Sequence, residues 1–359
     1  MAVFSLKRCL IALMILFLLG AAVLFWQWQS MQRFMQTSMQ LPAEGVTIQL
    51  NKGDTLRTVW SRLEKQQVLE RSDYPQFYAR WYRRGQAIKA GEYAIPFGTT
   101  PLQLLQRLEQ GDVTRYTITL VEGWTFAQVM QALKSNPALK QELTADQIAD
   151  SAQLFQSLKI DKPLAMHPEG LFFPDTYQFL RGDSDLSILR RAYLRLQKIL
   201  DEEWANRQPN LPLKTPYEAL ILASLIERET GVAAERAKIA GVFVRRLQKS
   251  MLLQTDPTII YGLGQRYDGN LRSADLKDDK NPYNTYRRPG LTPTPIALAG
   301  REAIRAALQP EAGDELYFVA RGDGSHQFTA TLDEHNKAVR KYQLARKSDY
   351  RSSPALPKQ

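Results

Sequence analysis

A chain of 359 residues that is 44% hydrophobic and 23% charged is long enough for roughly two folded domains and far too apolar to stay disordered. Its single cysteine excludes an intramolecular disulfide framework, and its three histidines, His167, His326 and His335, show no metal-ligand spacing, which argues against a zinc or iron–sulfur enzyme. The net charge of +10 suits anionic surfaces, but no nucleic-acid motif accompanies it, so nucleic acid is not expected as a partner.

From Cys9 to Trp26 the chain reads CLIALMILFLLGAAVLFW, apolar and uncharged throughout. At about 1.5 Å per residue this nearly crosses a hydrocarbon core about 30 Å thick, which predicts one transmembrane helix. Lys7 and Arg8 precede it and Arg33 is the first charge after it. The positive-inside bias therefore puts the N-terminus in the cytoplasm and the body, from about Gln27, in the periplasm, with Trp26 and Trp28 in the interfacial belt. A cleavable signal peptide ending near Gly20-Ala21-Ala22 is the alternative, and it would export the same body. Cys9 precedes the apolar run, so it is not placed as a lipidated cysteine.

TIQLNKGDTLRTVWSRL from Thr47 aligns with TITLVEGWTFAQVMQAL from Thr117, identical at Thr, Ile, Leu, Gly, Thr, Val and Leu positions. Apolar residues two apart predict a short strand, Gly the turn, and apolar residues every three to four positions a helix. A weaker third copy, EYAIPFGTTPLQLLQRL from Glu92, carries a helix-starting capping box at Thr100-Pro101-Leu102-Gln103 and a closing Gly111. The segment VTIQLNKGDTLRTVWSRLEKQQVL resembles a LysM-like module, a fold that binds N-acetylglucosamine-containing glycans. A pair of plain packing units would read the same way.

Short polar helices are expected between Ser135 and Lys162, then a turn-rich aromatic stretch, HPEGLFFPDTYQF, from His167 to Phe179, in which Glu169 reads as a turn residue. A long amphipathic helix follows from about Ser187 to Gln208. The next helix starts at a capping box, Thr215-Pro216-Tyr217-Glu218, and runs through ALILASLIERE to stop near Thr230-Gly231. It is apolar all round at its centre, hence buried. At about 100° per residue, Glu227 falls within about 60° of Leu220, Ala223 and Ser224, of which small Ala223 and Ser224 leave room for a ligand, while Glu218 and Glu229 lie together nearly opposite. A desolvated carboxyl there holds its proton, which makes Glu227 a candidate general acid, with Glu229 second. An ion pair with Arg228, Arg236 or Arg245 is the structural alternative. Downstream, LQTDPT from Leu253 and NPYNTY from Asn281 interleave tyrosines with amides, hydroxyls and carboxylates, a mixture that suits sugars. Half-buried tyrosines in surface loops would look alike.

EGLFFPDTY from Glu169, ASLIERET from Ala223, LQTDPT from Leu253, YNTY from Tyr283, His326-Gln327-Phe328 and His335-Asn336 occur in this order. With the apolar helix and the LysM-like segment, the chain resembles the endolytic murein transglycosylase family (MltG) from about Val46 to Tyr342. The resemblance implies cleavage of the β-1,4 bond between N-acetylmuramic acid and N-acetylglucosamine in peptidoglycan, without water as nucleophile. It places the catalytic glutamate at Glu227 and requires no metal or organic cofactor. Gln254, Thr255, Asp256, Tyr261, Asn284 and Tyr286 are the expected substrate contacts. The expected fold is α+β: residues 1–30 as cytoplasmic tip and transmembrane helix, 45–112 as the LysM-like module, 113–345 as a mixed α+β catalytic domain and 346–359 as a flexible tail. The expected role is strand termination at the inner membrane, with peptidoglycan glycan strands as substrate and peptidoglycan synthases as neighbours. The rivals are a non-catalytic glycan-binding scaffold and a two-carboxylate hydrolase using Asp256 or Glu229.

Overall fold

The computed structural model describes residues 2–344, apart from the side chains of residues 2–7, Cys9 and Leu344. The tail expected from residue 346 and the Cys9 thiol lie outside the described residues. The chain divides into two compact units, Met1–Tyr116 and Thr117 onward.

In the first unit the apolar run extends into a single helix, α1 (Ala2–Gln36), whose residues from Leu10 to Trp28 are exposed and form the one described helix long and apolar enough to cross a membrane. Past that stretch the same helix turns inward, with Met31 and Met35 buried. It is followed by β1 (Val46–Leu50), α2 (Leu56–Lys65), α3 (Asp73–Trp81), β2 (Gly91–Ile95) and α4 (Pro101–Gln110). β1 and β2 pair antiparallel, Val46 opposite Ile95 and Leu50 opposite Gly91. Alternation along β1 sends Ile48 and Leu50 into a core with Trp60, Leu63, Tyr93 and Leu104.

In the second unit come β3 (Arg115–Thr119), α5 (Phe126–Ser135), α6 (Ala145–Ala149), α7 (Ser151–Ser157), β4 (Thr176–Leu180), α8 (Asp185–Ala205) and α9 (Pro216–Glu229). Then follow α10 (Arg236–Gln248), α11 (Asp256–Leu263), α12 (Ser273–Lys277), α13 (Arg301–Leu308), the hairpin β5 (Tyr317–Ala320) and β6 (His326–Thr329), and α14 (Leu332–Val339). β3 and β4 form one two-stranded sheet and β5 and β6 another, so the fold is mixed α+β with most of its core made by helices.

All three repeat copies fold as strand, turn and helix: β1–α2, β2–α4 and β3–α5. The turn glycines Gly53, Gly98 and Gly123 all take positive φ, which a Cβ would strain. Thr55, Thr100 and Thr125 cap the three helices by accepting an N–H three residues on, and Gln103 and Gln128 complete reciprocal boxes.

α9 is the spine of the second unit. Every residue from Ala219 to Ile226 is buried, as its apolar circumference requires, and α8, α10, α11 and α13 pack around it. Thr215 caps it by accepting from the Glu218 N–H at 3.2 Å. The expected box is only half made, because the Glu218 carboxylate accepts from the Lys214 N–H instead of that of Thr215. α8 begins two residues before its expected start, where the Ser184 hydroxyl accepts from Ser187, and ends at Ala205.

Candidate active site

Glu227 lies on the last turn of α9, and its side chain is only 6% accessible. The room expected beside Ala223 and Ser224 is taken by the chain itself. The Ser224 hydroxyl accepts from the Ile296 N–H at 3.0 Å, which lays the buried segment Ile296–Gly300 along that face. At its end the Gly300 N–H donates to Glu227 Oε2 at 2.9 Å. A Cβ on Gly300 would collide with the Glu122 carboxylate, so glycine there lets a second acid approach the same peptide. That acid comes from the turn between β3 and α5, which is fastened to the same segment: Gly123 N–H donates to Leu298 O at 2.8 Å, and Leu298 N–H to Trp124 O at 2.7 Å.

Three arginines were candidates to lock Glu227 in an ion pair, and they behave differently. Arg228 donates to Gly123 O, and Arg245 binds Glu315. Only Arg236, at the start of α10, approaches, its Nη2 being 3.7 Å from Glu227 Oε1. That is a loose contact, and the Arg236 Nε–H is buried with no acceptor among the described residues. Burial pushes the Glu227 carboxyl above its ordinary range. The Gly300 N–H opposes this, Glu122 reinforces it, and Arg236 and Arg228 oppose it. The result is a protonatable carboxyl with one oxygen anchored by a peptide N–H and the other facing a guanidinium that can stabilise it once ionised. Behind Arg236, its neighbour Glu235 is held by His326 of β6, through the His326 N–H at 2.9 Å and Nδ1 at 2.8 Å.

Glu229 points elsewhere. Its carboxyl is enclosed by protein although the residue keeps some accessible surface, and burial pushes it up to about 7. It accepts from the Thr255 hydroxyl. Around it gather four of the six expected contact residues. Thr255 is buried, its N–H donating to Thr285 Oγ1 at 3.1 Å. Asp256 is exposed and accepts from the Tyr286 hydroxyl at 2.6 Å. Gln254 is exposed, has φ +53°, and accepts from Arg246 at 3.1 Å. Asn284 is fully buried close by in the same loop, its amide donating to the carbonyls of Asp275, Leu276 and Asp278 and its Oδ1 accepting from Tyr286 N–H. Tyr261 is separate from this group and donates to Glu169 Oε2 at 3.0 Å.

Glu169 is more than the turn residue that the following Gly170 suggests. It is 4% accessible, its Oε1 accepts from the Phe126 N–H at 2.8 Å, and burial pushes its carboxyl up to about 7. Sequence reasoning also missed Glu122, Gly300 and the Glu235–His326 pair. For Glu122 there was a signal: it stands in the repeat where the first copy has Lys52. Among the described residues no group of acids, histidines and cysteines is arranged to hold a metal ion.

The chain that builds this helical spine, with Glu227 and Glu229 secluded on its last turn, matches a known family: a model of the YceG-like family covers residues 48–341. The chain belongs to that family, as the ordered motifs led us to expect. Among its relatives, the endolytic murein transglycosylase of Bacillus subtilis (strain 168) is 35% identical over 310 residues, covering 83% of this chain and 84% of that protein. That of Streptococcus pneumoniae (serotype 2, strain D39) is 28% identical over 321 residues, covering 82% of this chain but 58% of that protein. The crystal structure of a yceG-like protein from Listeria monocytogenes superposes with a TM-score of 0.53 at 28% identity, over 82% of this chain and 99% of that one.

Proposed function

We propose that this chain is a membrane-anchored endolytic murein transglycosylase that cuts the N-acetylmuramic acid–N-acetylglucosamine β-1,4 bond and leaves 1,6-anhydro-N-acetylmuramic ends. The observation that carries the reading is the secluded Glu227 carboxyl, anchored by the Gly300 N–H and raised in pKa by its burial, beside Arg236. Glu227 gives its proton to the glycosidic oxygen as the C–O bond breaks. As a carboxylate, steadied by the Gly300 N–H and the Arg236 guanidinium, it then takes the proton from the muramic O6 hydroxyl, whose oxygen closes on the anomeric carbon. No water is consumed and Glu227 ends protonated. An intramolecular nucleophile gains the usual proximity advantage. The Arg236 Nε–H without an acceptor fits a site completed by a polar ligand.

Ordinary glycosidases need two carboxylates. Asp256 and Glu229, the second carboxylates expected for hydrolysis, act on one another, and the acid whose charge acts on Glu227 is Glu122. A hydrolase would therefore be built from Glu227 and Glu122. The β1–α2–α3–β2 unit, two helices between antiparallel strands, supports the LysM-like reading of residues 45–112, with glycan as its ligand. Gln254, Asp256 and Tyr286 are proposed as substrate contacts through their accessible surface, and Thr255, Asn284 and Tyr261 as the supports of that surface. Strand termination beside peptidoglycan synthases, with the N-terminus cytoplasmic and the body periplasmic, follows from the same reading.

The test is digestion of uncrosslinked glycan strands by the full chain, with products weighed by mass spectrometry. Ends lighter by one water than reducing ends are expected, and Glu227→Gln should lose about a hundred- to ten-thousandfold in kcat. Reducing ends would move the assignment to a hydrolase, and an active Glu227→Gln would remove the mechanism.

A further inference from the structure

The first unit has an apolar surface that its own fold does not use. On α3, Phe77 and Trp81 are 54% and 66% exposed and stack on one another, with ring centroids 5.9 Å apart. They face α1 across a groove of about 1140 Å³ whose far wall is Leu24, Phe25 and Trp28. α3 is held at that level along α1. The Tyr74 hydroxyl donates to Gln27 Oε1 at 3.1 Å, the Gln32 amide donates to the Tyr82 hydroxyl at 2.8 Å, and Phe34 meets Tyr74 edge-on at 5.6 Å.

The charge on the groove completes the pattern. Arg57 and Arg80 line it, are exposed, and make no ion pair among the described residues. Arg71 and Arg84 line it too, paired with Asp73 and Glu109. Leu24 belongs to the apolar run, whereas Gln27 is the first polar residue after it. The wall from Leu24 to Met31 rises about 10 Å along the helix, the distance over which a bilayer passes from hydrocarbon through head groups to water. Exposed aromatic rings, arginines lining the same groove and a helix that passes there from apolar to polar residues are what an interfacial surface requires.

We propose that the aromatic edge of α3 and its groove with α1 seat the first unit in the head-group layer of the membrane, with the phosphates of anionic phospholipids between Arg57 and Arg80. This rests on the reading of α1 as a membrane span. Lipid is the occupant that both observations demand: the groove begins at the height where hydrocarbon ends, and its unpaired charge is cationic. Phe77 and Trp81 then fix the unit against the bilayer, so that it does not hang free on its helix.

The test uses the full chain carrying Cys9→Ser, reconstituted in phosphatidylcholine vesicles with and without phosphatidylglycerol. A nitroxide is attached in turn at Leu16→Cys, Trp81→Cys and Gln76→Cys, the last of which keeps both rings, and its collisions with oxygen and with a water-soluble nickel complex are compared. Oxygen-favoured collisions at Leu16 report the span itself. The proposal expects the labels at positions 76 and 81 to be shielded from nickel as well, more deeply in the anionic vesicles, and Arg57→Gln with Arg80→Gln to abolish that lipid dependence. A label at 16 in hydrocarbon with labels at 76 and 81 freely reached by nickel would overturn the seating while leaving the anchor intact. A label at 16 in water would overturn the anchor. Lipid dependence unchanged by the paired arginine substitutions would overturn the phosphate site.

Discussion

Glu169→Gln isolates what a buried acid costs this fold. Burial pushes the Glu169 carboxyl up to about 7 in the folded chain, from an ordinary 4.5. Between those values the folded state keeps a proton that the unfolded state has released, so stability falls as pH rises through that window and levels off above it. At about 1.4 kcal/mol per pH unit the loss from about pH 5 to about pH 8 is about 2.5 kcal/mol, about 70-fold in the unfolding equilibrium. Glutamine has the same shape and no charge. Its oxygen can accept from the Phe126 N–H and its amide can donate to the Tyr261 oxygen, leaving the tyrosine hydroxyl to turn to Thr294. Urea unfolding of both proteins in detergent at the two pH values gives the comparison, since Glu227 and Glu229 contribute equally to each and cancel. The wild type should lose about 2.5 kcal/mol more than the variant. Parallel pH dependences would refute the reasoning, because they would mean that Glu169 is ionised as readily in the fold as outside it.

Two substitutions should move the pH profile of kcat in opposite directions. Glu122→Gln removes an acid that raises the Glu227 pKa, so the alkaline limb should shift to lower pH, whereas Arg236→Gln removes an opposing cation and should shift it to higher pH. Gly300→Ala adds no backbone strain at φ −72°, but its Cβ displaces the Glu122 carboxylate, so the alkaline limb should move to lower pH as in Glu122→Gln, with little change in unfolding midpoint. Asn284→Ala strips the half-buried carbonyls of Asp275, Leu276 and Asp278 of their donor and should cost about 1–2 kcal/mol in denaturation, seen before any specific change in KM.

What was legible in the sequence was local. The threonine caps and turn glycines of the three repeat copies, the all-round apolar α9 and the apolar run of α1 each follow from neighbours a few positions apart, and periodicity reads such neighbours directly. The surroundings of Glu227 come from distant stretches: Glu122 from a repeat turn, Gly300 from the entry to α13, Arg236 from α10. No spacing rule joins them. The same blindness left Ser224 as open space, since the segment that hydrogen-bonds to it begins with Ile296, far along the chain. Glu169 looked like a turn because Gly170 follows it, and Gly170 does take φ +75°. Its burial comes from Phe126 and Tyr261, which lie on elements remote in sequence.

α1 passes from the apolar run into the core at Met31 and Met35 without a break in its helix. The rod therefore enters the β1–α2–α3–β2 body as one of its own packed helices and not through a loop, so that a lean of the rod is passed to the body through helix and side-chain packing. One alanine inserted after Gln29 would turn the two halves of the rod by about 100° against one another, so that α3 could keep its contacts with Gln32 and Phe34 or those with Gln27, but not both.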